Sequence, residues 1–174
     1  WVPNGASGPW ARALEGAGAV VNLAGEGIAD KRWTAARKQA LLSSRLDATS
    51  SLVKAMAELK TPPGVFVSAS GVGYYGPTGD EPIAEGAPAG RDFLGEMASD
   101  WEAAAAPAEA FSRLVLLRTG LVMGSEGALG KMLLPFKMCV GGIVGPGTQY
   151  WSWLTVAEAA RIFAFAVQNE DLHG

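Results

Sequence analysis

Three short apolar runs, Val20-Val21-Asn22-Leu23, Val65-Phe66-Val67 and Leu114-Val115-Leu116-Leu117, constrain this chain more than any other feature. None alternates apolar with polar residues, so each reads as a strand buried on both faces. Each is separated from the next by a segment long enough for a helix, the spacing that crossover connections between parallel strands require. The expected architecture is α/β, with a doubly wound parallel sheet.

The intervening segments carry helical patterns. From Trp33 to Leu59 the apolar positions Leu42, Leu46, Leu52, Val53, Met56 and Leu59 recur at three- and four-residue steps, and Thr61-Pro62-Pro63-Gly64 ends the run. Asp92 is the expected N-cap of a second helix reaching Ala106, with Phe93, Met97 and Trp101 on its apolar face and Glu96 read as a solvated carboxylate. Beyond Gly120 the pattern loosens into a helix over Leu129–Met138, glycine-rich turns from Gly141 to Gly147, and a last helix around Val156–Val167.

A length of 174 residues suits one domain. With 49% hydrophobic and 18% charged residues the composition is that of a core-rich globular chain, and no apolar run reaches the ~18 residues that cross a bilayer. A net charge of −3 spread over mixed-sign segments gives no footprint for nucleic acid. The single cysteine, Cys139, is expected as a buried structural thiol, compatible with a reducing, cytoplasmic setting. His173 is the only histidine and lies one residue from the end, so triads and histidine-rich metal sites are not expected. Acid–base chemistry then falls to Tyr, Lys, Ser or carboxylates.

Ser68-Ala69-Ser70-Gly71-Val72-Gly73-Tyr74-Tyr75-Gly76 spells the glycine spacing of a dinucleotide loop directly after a strand. Such a loop binds phosphate through the N-terminus of the helix it opens. Here Pro77-Thr78-Gly79-Asp80-Glu81-Pro82 follows and cannot continue a helix. Gly25 and Gly27 fail as well, because Asp30 stands at the third glycine position. The stretch reads instead as hydroxyls of Ser68, Ser70, Tyr74 and Tyr75 brought to the carboxyl edge of a sheet, where open α/β proteins place ligands; a tight turn with core-capping tyrosines is the alternative.

Taken in order, Val20–Glu26, Lys31-Arg32-Trp33-Thr34, Ser44-Arg45, Ser68–Gly76, Asp92-Phe93-Leu94, Trp101-Glu102, Leu117-Arg118-Thr119-Gly120, Met132–Phe136 and Ser152-Trp153 resemble atypical extended short-chain dehydrogenase/reductases of the NAD-dependent epimerase/dehydratase, nucleoside-diphosphate-sugar epimerase-like type. The resemblance implies a Rossmann-type fold binding NADP or NAD. It puts Asn22, Ala24, Gly25, Ser68, Arg118, Thr119 and Gly120 near the cofactor and Ser70, Tyr75 and Tyr74 in the catalytic region. Residues 141–155 lead toward substrate, with Trp151 and Trp153 as an apolar pocket wall. It also implies that this single domain is partial, lacking the first βαβ unit and the carboxyl-terminal lobe. The run at Val20 would then leave an apolar edge open, with weak dinucleotide binding and a tendency to aggregate as the expected consequences.

One departure bears on chemistry. The family's Tyr-x-x-x-Lys pair is missing: four residues after Tyr74, Tyr75 and Tyr150 stand Thr78, Gly79 and Leu154. Two principal readings therefore stay open. One is hydride transfer on a small carbonyl or nucleotide-sugar substrate, with Ser70 bonding the substrate oxygen and Tyr75 or Tyr74 moving the proton. The other is a catalytically inactive NADP-binding regulator of the same fold; a homodimer is compatible with either. Arg45 and Lys31 could approach a cofactor phosphate, and surface salt bridges are their expected use.

Overall fold

Residues 65, 66 and 67 alternate between two faces of a sheet, and both faces are buried, which is why the run is apolar throughout. In the computed structural model, which describes residues 1–125, 127–143 and 145–174, Phe66 and Leu114 pack on one side against Leu52, Val53, Met56, Ala105 and Ala108. Val65, Val67 and Val115 pack on the other against Ala166, with Phe163 and Val167 beside it.

The sheet has the order β1 (Ala19–Asn22), β2 (Val65–Gly71), β3 (Arg113–Thr119), all parallel. Helices α1 (Ala35–Ala57) and α2 (Phe93–Ala105) cover one face, and α4 (Val156–Gln168) covers the other, the doubly wound arrangement. Thr34 caps α1 by accepting from the Arg37 amide, and Asp92 caps α2 by accepting from the Gly95 amide. The main chain of Gly174 pairs with Leu114 and Leu116 on the β3 edge. Among the described residues no strand lies beyond β1, and Val21 and Leu23 are 41% and 64% exposed there.

Past β3 the structure holds a pairing absent from the sequence reading: β4 (Leu121–Met123) and β5 (Trp153–Thr155) form a separate parallel pair. Three residues are too few to display a period. Between them α3 (Ala128–Lys137) presents Leu134 and Phe136 to solvent, and the chain around Gly141–Gly147 is non-helical at its described positions, Val144 lying outside them. Cys139, expected buried, is exposed in the turn just after α3, where its neighbours Met138 and Val140 are exposed as well. No helix among the described residues is long and apolar enough to cross a membrane.

Candidate functional site

Parallel strands that start in register end in register, so β2 and β3 deliver Ser70 beside Arg118 and Gly71 beside Thr119 at their carboxyl ends. A pocket of about 870 Å³ opens over this edge. Its walls are mostly apolar, from Ile28, Leu94, Met97, Trp101, Leu121, Met132 and Trp151, and its polar groups are Ser70, Thr119, Ser152 and Arg45. Gly71, Gly73 and Gly120 also line it and leave backbone bare there. This is the size and chemistry of a small-molecule site.

Ser70 is 4% exposed, and its hydroxyl donates to Glu102 Oε1 at 2.6 Å. Glu102 in turn receives both arms of Arg118: Nε to Oε1 at 2.8 Å and Nη2 to Oε2 at 2.7 Å. A bidentate pair of this kind is short, charge-assisted and planar. Its hydrogen bond to Glu102 and the charge of the same carboxylate hold the Arg118 pKa above the ordinary arginine value, against a desolvation that opposes them. With its proton engaged by Glu102, Ser70 has only lone pairs to offer elsewhere, so toward a ligand it is an acceptor.

The tyrosines lie on the other side of Arg118. Nη1 donates to the Tyr75 hydroxyl at 2.9 Å and to the Glu85 carbonyl at 2.8 Å. The guanidinium carbon sits 3.5 Å from the centre of the Tyr74 ring, close enough for a strong cation–π contact. Both tyrosines stand on a 3-10 turn, Val72–Tyr75, and the next α-helix begins only at Phe93, so this loop has no helix N-terminus to offer a pyrophosphate. Gly76 closes the turn at φ +66°, and a Cβ there would come within 3.0 Å of the Gly90 Cα.

Beneath the pocket runs a second polar network. Asn22 Nδ2 donates to Thr49 Oγ1 at 2.8 Å and to Ser68 Oγ at 3.3 Å, and its Oδ1 accepts from the Ala24 amide. Trp101 Nε1 donates to the same Thr49 oxygen at 2.9 Å. The indole that walls the pocket is thereby anchored to the end of β1 through one threonine.

Among the residues singled out from the sequence, Ser70, Thr119, Gly120 and Trp151 line the pocket. Arg118, Tyr74 and Tyr75 form the knot beside it. Asn22 and Ser68 are buried in the network below, next to half-buried Ala24 and exposed Gly25. Trp153 lies apart, in a shallow groove with Leu154, Arg161, Ile162 and Phe165. Arg45, expected at the surface, is 7% exposed: α1 turns it inward at the same stripe as Leu41, Ala48 and Leu52. Sequence reasoning gave no role to Glu102 or Thr49. The available signal was position, since Glu102 falls on the inward stripe of Ala98, Trp101 and Ala105.

Comparison with known proteins agrees with this fold. The family model described as NAD dependent epimerase/dehydratase family matches residues 7–174. The chain is 40% identical over 160 residues to epimerase family protein SDR39U1 of Bos taurus, covering 90% of this chain and 54% of the relative. It is 38% identical over 156 residues to epimerase family protein YfhF of Bacillus subtilis, covering 88% and 51%. The chain thus spans about half the length of the curated relatives it matches. Human SDR39U1 (isoform 2), solved with NADPH, superposes with a TM-score of 0.87 at 37% identity over 95% of this chain and 58% of that one. A nucleoside-diphosphate sugar epimerase from Corynebacterium glutamicum gives 0.81 at 34% identity, over 100% and 36%. On the match to the family model and the fold it shares with these proteins, the chain belongs to the NAD dependent epimerase/dehydratase family.

Proposed function

We propose that this chain forms the nicotinamide and reaction side of an NAD(P)-dependent epimerase or reductase acting on a small carbonyl or nucleotide-sugar substrate. The observation that carries the reading is the buried Ser70 hydroxyl, oriented by Glu102 at the edge of a pocket at the carboxyl ends of β2 and β3. The pocket fits a nicotinamide–ribose: it has flat apolar walls, bare backbone at Gly71, Gly73 and Gly120, and the Ser70 and Thr119 side chains within it. Gly71, Gly73, Gly120 and Thr119 would hold the group, leaving Ser70 to the substrate, and a nicotinamide bound there supplies the hydride donor or acceptor. The relative solved with NADPH supports NADPH as the first nucleotide to test.

Within this reading Ser70 accepts a hydrogen bond from the alcohol form of the substrate, the form that gives hydride to the nicotinamide, and fixes the reacting carbon against the pocket floor. Glu102 keeps the serine proton turned away, and Arg118 keeps Glu102 in place. Tyr75 orients Arg118 through its hydroxyl. The test is turnover by the full-length natural protein on a panel of small carbonyls and nucleotide sugars. Ser70→Ala is expected to lower it by about 10²-fold or more while nucleotide binding persists; equal turnover by the variant would overturn the role of Ser70.

One observation favours a second reading. No tyrosine lines the pocket, and the Tyr75 hydroxyl is occupied by Arg118 and the Glu85 carbonyl. A nucleotide-binding regulator without turnover has no need of a proton-transfer tyrosine, and saturable nucleotide binding with no turnover across the panel is its signature.

A further inference from the structure

Arg45 is a cation in the wall of a mostly apolar pocket; its hydrogen bonds go to neutral carbonyls, and the Glu26 carboxylate that attracts it is already paired with Arg37. Arg45 Nη1 donates to the Leu41 carbonyl at 2.9 Å and its Nη2 to the Glu26 carbonyl at 3.1 Å. Its Nε is buried without a hydrogen-bond partner among the described residues. Burial first, and then the charge of nearby Arg37, lower its pKa, while Glu26 pulls it up. An arginine nevertheless stays protonated in a protein, so the site holds a buried positive charge.

The guanidinium is slotted in place. The Trp101 ring centre lies 5.1 Å from its carbon on one side. Toward Gly25 the fit is so close that a Cβ there would come within 3.0 Å of the same carbon. A long cation ordinarily swings its head out to water; this one is held where it is. Arg37, two turns earlier on α1, is 9% exposed and engages the Glu26 carboxylate and the Gly27 carbonyl. Its Nε too is buried without a hydrogen-bond partner among the described residues. A buried guanidinium on neutral acceptors is costly, and the cost falls when an anion seats against it.

We propose that Arg45 recognises an oxyanion, so that the small molecule taken by this pocket carries a carboxylate or phosphate group beside its reacting hydroxyl or carbonyl. This inference rests on the reading of the pocket as a substrate site, and it narrows the substrate to a hydroxy- or oxo-acid or a phosphorylated carbonyl compound.

The test uses the full-length natural protein labelled with ¹⁵N-arginine, following the Arg45 Nε–H resonance, assigned through its contact with the Trp101 ring. Pyruvate, inorganic phosphate and neutral dihydroxyacetone are titrated separately, with and without saturating NADPH. The inference predicts a saturable shift with pyruvate or phosphate and none with dihydroxyacetone. It also predicts that Arg45→Gln binds the effective anion at least about tenfold more weakly; the wild-type resonance carries the test where that variant does not fold. An unmoved resonance, or an equal response to dihydroxyacetone, would overturn it. A shift produced by NADPH itself that excludes phosphate and pyruvate would assign the anion to the nucleotide and also overturn it. A phosphate-induced shift in a protein that does not bind NADPH would uphold the oxyanion site while removing the nucleotide reading.

Discussion

Ser70 Oγ lies 2.6 Å from Glu102 Oε1, a hydrogen bond between the end of β2 and the inward face of α2, and the same oxygen receives Arg118 Nε at 2.8 Å from β3. Three elements therefore meet on one carboxylate next to the pocket. Glu102→Ala removes the shared acceptor and leaves a partly buried guanidinium unpaired. The expected loss is about 2–4 kcal/mol of folding stability, read by urea denaturation of the full-length natural protein. A change within about 0.5 kcal/mol, the size of an ordinary surface substitution, would place the pair outside the fold's support.

Thr49 accepts from both Asn22 and Trp101, so Thr49→Val, nearly the same shape, strands two buried donors at once. It should cost about 1–3 kcal/mol. Combined with Trp101→Phe the losses should be less than additive, because one of the two donors is already gone. Strict additivity would contradict the shared bond.

Gly76 combines a left-handed φ of +66° with close approach to Gly90. Gly76→Ala meets both obstacles and should destabilise by about 1–3 kcal/mol. The same substitution at Gly79, where an added Cβ meets nothing within 4 Å, should be close to neutral in a thermal melt.

The Glu158 carboxylate accepts from the Thr155 amide and hydroxyl at the start of α4, and these bonds lower its pKa from the ordinary carboxylate value. A carboxyl with a depressed folded-state pKa stabilises the helix end above its unfolded pKa, and that contribution is lost as pH falls through the depressed value. The protection factors of the amides over the first turn of α4, that is, exchange corrected for its intrinsic pH dependence, should therefore fall on acidification below the ordinary carboxylate range. In Glu158→Gln, whose amide oxygen can still accept, this pH dependence should vanish; its persistence would assign the effect to another group.

The sheet was legible because both faces are buried at β2 and β3, so these strands announce themselves as apolar runs, with β1 a shorter run at the open edge, and Asp92 announces α2 by its capping chemistry. The β4–β5 pair was not, since Leu121–Met123 and Trp153–Thr155 are too short to show a period and lie about thirty residues apart in sequence. Ser70 could be singled out because a hydroxyl ending a buried strand is conspicuous. Glu102 and Arg45 carry charges on inward helical stripes, and a helix pattern read for its apolar members passes over them. Tyr75 was chosen for its chemistry, but only the three-dimensional contact with Arg118 reveals that its hydroxyl is already engaged.

The most direct measurement is titration of the full-length natural protein with NADPH and NADH, followed by quenching of tryptophan fluorescence, in the native sequence, Ser70→Ala and Tyr75→Phe. Trp101 and Trp151 wall the pocket and report on its occupancy. The account predicts saturable binding of one of the nucleotides that survives both substitutions. Absence of binding by either nucleotide to the native protein would contradict it, leaving a shared architecture without the shared cofactor.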